Sequence, residues 1–454
     1  MKKNRFILTL IILMISVFIH TATQASNALW VTPSNALKHQ DTLNFWTGYS
    51  FFKAPWVFAP SSTVARDGLG PLFNARACES CHIHGSAGIM PPPQTSDATP
   101  SHTTANDFVV RIANQADENR NTFIDYGSQL QTLSQYSLGN NKAPLPEADI
   151  AIKWLKHQRN QPLNQKLPYQ DLKKPTLIIS QDHYKKLPQS LSYSIRLAPA
   201  LYGLGLVDLL EPAALLAHAD PNDLNNDGIS GRANAVWDIK KSALALGKFG
   251  LKAEQPTLEQ QNASAFIEDI GITSRYFPQQ NCTRTQAACQ KMPNGNSLKH
   301  KVELIDSKLA LVTQFTQYLK APNSQYQPVK VEPLFIEVDC HLCHLPRLPL
   351  PASNIFKQHT LHAYSDFLLH DLGDGLSDGR TWANTQPNEW RTTPLWGLSR
   401  KLKNIPVSLL HDGRARTIRE AIVWHGGEAR NSRDLFLALS PENQNIIIHF
   451  LSQL

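Results

Sequence analysis

A mainly α fold is predicted, with two haem-binding domains, long irregular loops, a few short strands and a sizeable insertion between the haem motifs. Three observations predict it. The pentapeptide Cys-x-x-Cys-His occurs twice, as Cys78-Glu79-Ser80-Cys81-His82 and as Cys340-His341-Leu342-Cys343-His344. Apolar residues recur at helical spacing over 304–319, over 418–425 and in the last turns of the chain, whereas polar–apolar alternation stands out only over 147–154. With 454 residues, the chain is also far too long for one small haem domain.

Cys-x-x-Cys-His is the attachment sequence of a c-type haem. Two cysteines three apart reach the two vinyl groups of one porphyrin as thioethers, and the adjacent histidine becomes the fifth ligand of the iron. At this composition one copy arises by chance in about three chains per thousand. Disulfides or a zinc site are the alternatives, but zinc needs four converging ligands and leaves the trailing histidine of both copies unexplained. The expected cofactors are therefore two covalently bound haem c groups in cytochrome c-like domains. Cys78, Cys81 and His82 hold one, and Cys340, Cys343 and His344 hold the other.

The chain opens Met1-Lys2-Lys3-Asn4-Arg5, continues with an apolar run over 6–19 and reaches Thr23-Gln24-Ala25-Ser26. This reads as a signal peptide over 1–25, cut after Ala25. A retained anchor is the alternative, although the run is shorter than the ~20 residues a bilayer crossing takes. Export to the periplasm agrees with c-type haems, which are attached outside the cytoplasm. Nothing after residue 25 is apolar enough to span a membrane. The net charge is +7, and the leader carries Lys2, Lys3 and Arg5, so the remainder carries +4. Without a long basic run, that balance argues against a nucleic-acid partner. The expected organisation is an N-terminal haem domain over 26–200, an intervening segment over 201–330 and a C-terminal haem domain over 331–454. Cys282 and Cys289, the two cysteines left over, are expected to form a disulfide in an oxidising compartment.

Taken in order, 66–77 is a glycine- and proline-bearing turn running into the first motif, and 85–100 is a loop. His84 lies too near His82 to reach the opposite face of the same haem. Glu147 to Trp154 alternates as a strand does, and 196–210, apolar and rich in small residues, reads as a buried helix or helix–turn pair. Asp223, Asn225 and Asp227 followed by Gly228 form the first half of a calcium loop. The closing glutamate is missing, because Asn234 stands there, so an Asx-rich turn is the alternative. Helices are expected over 257–273 and 304–319, with a linker over 322–333. The stretch 364–380 carries His370 and several acids. Thr417 and Glu420 form a capping box that opens a helix stopping at Gly426-Gly427. On it, Ile418, Ala421, Ile422 and His425 share one face, which makes His425 a candidate axial ligand to a haem iron. Ser440-Pro441 starts the last helix.

One haem with two strong ligands carries electrons, and one with an open face can bind peroxide. Splitting peroxide further needs an acid–base group and a hydrogen-bond donor above the iron. On DGLGPLFNARACESCH (67–82), RLAPALYGLGLVD (196–208), NDGISGRAN (226–234), GKFGLKAEQPTLEQQNASAF (247–266), DIGITSRYFPQQNCTRTQAAC (269–289), YSDFLLHDLGDGLSDG (364–379), EWRTTPLWGL (389–398) and LLHDGRARTIREAIVWHGGEA (409–429), the chain resembles the bacterial dihaem oxidoreductases of peroxidase or thiol-oxidoreductase type, relatives of dihaem cytochrome c peroxidase. In the peroxidases, a methionine fourteen residues past the His-Asp-Gly histidine is the sixth ligand of the C-terminal haem. A tyrosine takes that place in the methylamine-utilisation relative that oxidises a partner protein's tryptophans. Counted from His411, the position is His425. Histidine in place of methionine is expected to lower the potential of that haem. The resemblance also implies that Glu147 is the distal acid–base group of the N-terminal haem and Gln129 its polar companion, with an exposed strand-end carboxylate as the plain alternative for Glu147.

The expectation is a periplasmic dihaem peroxidase that reduces hydrogen peroxide with electrons from a small donor protein, a cytochrome c or a cupredoxin. A calcium ion near Asp223, Asn225 and Asp227 would fix the geometry between domains. One rival is an electron-transfer cytochrome with both haems six-coordinate. Another is a maturase-like oxidase acting on a partner protein. Thiol oxidation is weaker, because no spare Cys-x-x-Cys pair exists. The sixth ligand of the first haem is open, with His102 one candidate.

Overall fold

The computed structural model describes residues 31–93, 101–102, 108–114, 125–157, 172–187, 191–296 and 300–454. The expected signal peptide and the side chain of His102 lie outside the described residues.

The helix Thr42–Lys53 runs until Ala54-Pro55, where the residue before proline leaves the helical region. It packs on Asp306–Tyr318, the helix expected over 304–319, with the Phe315 ring 5.3, 5.1 and 5.0 Å from those of Phe45, Tyr49 and Phe52. The two backbones touch at Gly48, where a Cβ would stand 2.0 Å from the Leu311 carbonyl oxygen. Leu258–Ala265 opens on Thr257, whose hydroxyl accepts from the Gln260 N–H at 3.2 Å. It widens into a π turn over Phe266–Ile270 and stops at Gly271, φ +74°. The helix Ile418–Trp424 starts at Thr417, whose hydroxyl accepts from the Glu420 N–H at 3.0 Å. The Glu420 carboxylate accepts from Arg416 N–H at 2.7 Å and not from Thr417, so the expected reciprocal cap closes one residue early. Ser440 caps the terminal helix Pro441–Gln453.

The expected mainly α class is overturned. Helix accounts for 31% and strand for 18% of the structure. Two three-stranded antiparallel sheets fall between residues 101 and 197. Phe108–Asn114 pairs with Leu191–Leu197 in the register Val110 to Ile195, and with Gln129–Leu130 on its other side. Ala148–Lys156, the expected strand, pairs with Lys173–Asp182 and with Ser101–His102. The sequence hides much of this because Leu191–Leu197 is buried at every position but Tyr193 and lacks the alternation of a half-exposed strand. The same strand consumes the start of the helix expected over 196–210. Arg196 and Leu197 end it, Pro199 follows, and only Leu204–Asp208 is helical.

Four apolar clusters hold the molecule together. The first joins Phe45, Leu206, Phe249 and Phe315 to Phe367 and Trp396, so segments from before and after the second haem motif share one core. The second holds Phe335, Trp424, Phe436 and Phe450. The third joins the two sheets through Val110, Ile112, Ile150 and Ile195. The fourth gathers Trp56, Phe73, Phe266 and Leu304. Cys78 packs against the first and fourth, and Cys340 against the second. Among the described residues, no helix is long and apolar enough to cross a membrane.

Candidate haem sites

The first motif forms a tight turn, Cys78–Ser80, ended by Cys81 and His82. Cys78, Cys81, Cys340 and Cys343 are thiols outside any disulfide, whereas Cys282 and Cys289 are disulfide-bonded. His82 Nδ1 lies 2.7 Å from the Pro199 carbonyl oxygen, which can only accept, so Nδ1 carries the proton. With the proton on Nδ1, the lone pair that a metal would take is on Nε2. Burial pushes this imidazole down to about 4, so it stays neutral. Cys78, Cys81 and His82 line a cavity of about 360 Å³ with Phe108, Leu204 and Phe266. Among the described residues, the lining contains no second histidine and no methionine.

The cavity wall also carries charges. Arg111 pairs with Glu268 at 2.5 Å, and Arg196 pairs with Glu254 at 3.1 Å and with Asp378 at 3.3 Å. Burial alone would raise Glu254, but Arg196, Arg380 and Arg111 outweigh it and hold the carboxyl at about 2. Asp269, on the π turn beside Glu268, behaves oppositely. Burial raises it to about 6, against the pull of Arg111 and a hydrogen bond from Gln129 Nε2 at 2.8 Å. A π turn in a helix places consecutive side chains where a regular helix cannot, and here both acids face the cavity.

At the second motif, Asp339 takes a left-handed conformation, φ +59°, and leads into the turn Cys340–Leu342. His344 Nδ1 lies 3.0 Å from the Tyr364 carbonyl, and His425 Nδ1 lies 2.7 Å from that of Ala421. Each therefore carries its lone pair on Nε2, as His82 does. Burial lowers both imidazoles, His344 to about 4, and His344 is lowered further by the charge of His425. The fold thus brings His344 and His425 into one neighbourhood. Beside them His370 is gripped by Asp366 at 2.8 Å and by Glu428 at 2.7 Å, with Cys343 Sγ at 3.7 Å. Despite burial, these hydrogen bonds raise His370 well above an ordinary histidine.

The two residues expected above the first haem are not on the cavity wall. Glu147 is 2% exposed and accepts from Gln131 N–H at 2.7 Å and Gln286 Nε2 at 2.5 Å. Gln129 lies one contact behind the wall, through Asp269. The acids that do line the cavity, Glu254, Glu268 and Asp269, come from the segments 247–266 and 269–289 quoted above or from the residues between them. No local pattern marked them, because only the fold brings them to Cys78. Asp223 is half-buried, Asn225 and Asp227 are exposed, and all three are already engaged as an Asx-rich turn. Asp223 accepts from Gly228 N–H at 3.1 Å, and Asp227 accepts from Ile229 N–H at 2.8 Å and from Asn225 Nδ2 at 2.9 Å. Among the described residues, no group of three or more His, Cys, Asp or Glu is placed to hold a metal ion.

The donor sets suit haem at both places: two thiols three apart outside any disulfide, and a neutral imidazole protonated on Nδ1. Curated proteins and solved structures yield no match to the chain. A family model described as "Di-haem oxidoreductase, putative peroxidase" matches residues 16–454. The chain belongs to that di-haem oxidoreductase family.

Proposed function

We propose that the chain is an exported periplasmic peroxidase that reduces hydrogen peroxide to water with electrons from a small redox protein, a cytochrome c or a cupredoxin. Cys78 with Cys81, and Cys340 with Cys343, hold the two haems by thioether bonds. His82 and His344 are the proximal ligands, and His425 is the second axial ligand of the haem at His344. The observation that carries this reading is an asymmetry. His344 has a second neutral imidazole beside it, while among the described residues the His82 cavity is lined by neither a second histidine nor a methionine.

The haems supply the redox centres, one closed for electron transfer and one open to the oxidant. The chain supplies the rest. Two electrons and two protons turn one peroxide into two waters, so a proton carrier that titrates near neutrality is required. Asp269, raised to about 6 and on the wall, meets that requirement better than Glu147. Arg111, fixed by Glu268, offers N–H groups for developing negative charge.

Electron paramagnetic resonance of the purified protein, with a steady-state assay using reduced cytochrome and peroxide, tests the proposal. One low-spin bis-histidine signal, one high-spin or ligand-accessible haem, and turnover well above free haem are expected. His425→Met should raise the potential of the low-spin haem alone. Two six-coordinate haems without turnover after reductive activation would make the chain an electron-transfer cytochrome. A stable two-electron-oxidised state without donor turnover would make it a maturase-like oxidase.

A further inference from the structure

Two cations on the wall of the His82 cavity have no role in the reading above. Of the five lysine and arginine side chains that line it, three are paired: Arg111 with Glu268 at 2.5 Å, Arg196 with Glu254 at 3.1 Å, and Lys248 with Asp208 at 3.8 Å. The other two are Arg391 and Lys401. Arg391 donates only to backbone, from Nε to the Gly250 carbonyl at 2.8 Å and from NH1 to that of Thr392 at 3.2 Å. The acid whose charge it feels, Asp366, is already engaged by His370. Among the described residues, the Lys401 ammonium has neither a carboxylate within ion-pair distance nor a hydrogen-bond acceptor. Burial, followed by the charge of Arg391, lowers Lys401 to about 8. Two like charges share one low-dielectric cavity, and among the described residues no carboxylate lies within ion-pair distance of either.

Such an arrangement is costly unless something else brings the anions. It calls for a ligand with two negative charges. A haem carries two propionates, and a haem tethered at Cys78 and Cys81 would place them in this cavity. We propose that Arg391 and Lys401 are the counter-cations of the two propionates of the His82 haem. The assignment rests on the haem reading above. It adds that these two residues position that haem and set its potential, since a cation beside a propionate disfavours loss of an electron from the iron.

The test uses full-length holoprotein as wild type, Arg391→Gln, Lys401→Gln and the double variant. Haem content is measured by thioether-haem spectroscopy, and both midpoint potentials by spectroelectrochemistry. Both haems should remain attached. The His82 haem in the double variant should shift toward the oxidised form by about tenfold, equivalent to about 59 mV for one electron, while the His344 haem serves as an unmoved internal control. Lys401→Arg should restore most of the shift that Lys401→Gln causes, and it covers the case in which the double variant fails to fold. An unmoved His82-haem potential in variants that keep both haems would overturn the assignment. So would loss of a low-spin signal in Lys401→Gln, because Lys401 would then be an iron ligand. Wild-type protein with fewer than two thioether-linked haems would overturn the haem reading itself and the assignment with it.

Discussion

Glu147 has two hydrogen-bond donors and no cation against it. Its burial outweighs both donors and pushes it from 4.5 up to about 8. The folded value exceeds the unfolded one, so its stabilising contribution is complete below about 4.5 and is lost as pH rises toward about 8. Within that window the slope approaches about 1.4 kcal/mol per pH unit. Glu147→Gln keeps the shape, and its amide can pair with a turned Gln286 while its oxygen still accepts from Gln131. The difference in unfolding free energy between wild type and Glu147→Gln, measured with urea at pH 5, 6.5 and 8, should move in favour of the variant as pH rises. A flat difference would place the carboxyl at an ordinary value. Glu147 and His425 also show what is legible at this scale. His425 was a candidate on two counts, a helical face and a fixed offset from His411, and the structure sets it near His344. A buried carboxylate has no such second constraint, and which cavity it serves depends on segments hundreds of residues away.

At the scale of elements, helices with apolar stripes and caps were readable nearly to their ends. Thr417 and Ser440 each cap the helix expected after them. Of the strands in the two sheets, Ala148–Lys156 was readable from its alternation, but Leu191–Leu197 was not, because burial on both faces erases the period-two signal and the polar residues Ser192, Ser194 and Arg196 interrupt the apolar run. Helix contacts also hold information that propensity inverts. At an exposed helical site, glycine to alanine gains about 1 kcal/mol. Gly48→Ala would instead force its Cβ to 2.0 Å from the Leu311 carbonyl oxygen, a backbone atom that cannot turn aside. We expect Gly48→Ala to destabilise by about 2 kcal/mol or more, read as a lower urea midpoint. A variant as stable as wild type would mean that the helices Thr42–Lys53 and Asp306–Tyr318 can separate freely.

Over the whole molecule, the cavity was the least legible feature, since its wall draws on residues near 78, 111, 196, 254, 268 and 391. The two Cys-x-x-Cys-His pentapeptides pointed to haem, while the environment of each site emerges only when these segments meet. The shared core of Phe45, Phe315, Phe367 and Trp396 makes the two halves interdependent. Residues 26–330 produced alone should therefore lack a cooperative urea transition, whereas 26–454 should show one. A sharp transition in the fragment would contradict the shared core.

That interlock orders events at birth. Trp382, Arg391, Trp396 and Lys401 close over the first cysteine pair only after the chain has been made well past the second. If the porphyrin is stitched to Cys78 and Cys81 before these residues settle, the last part of the chain to be made packs around a group already in place.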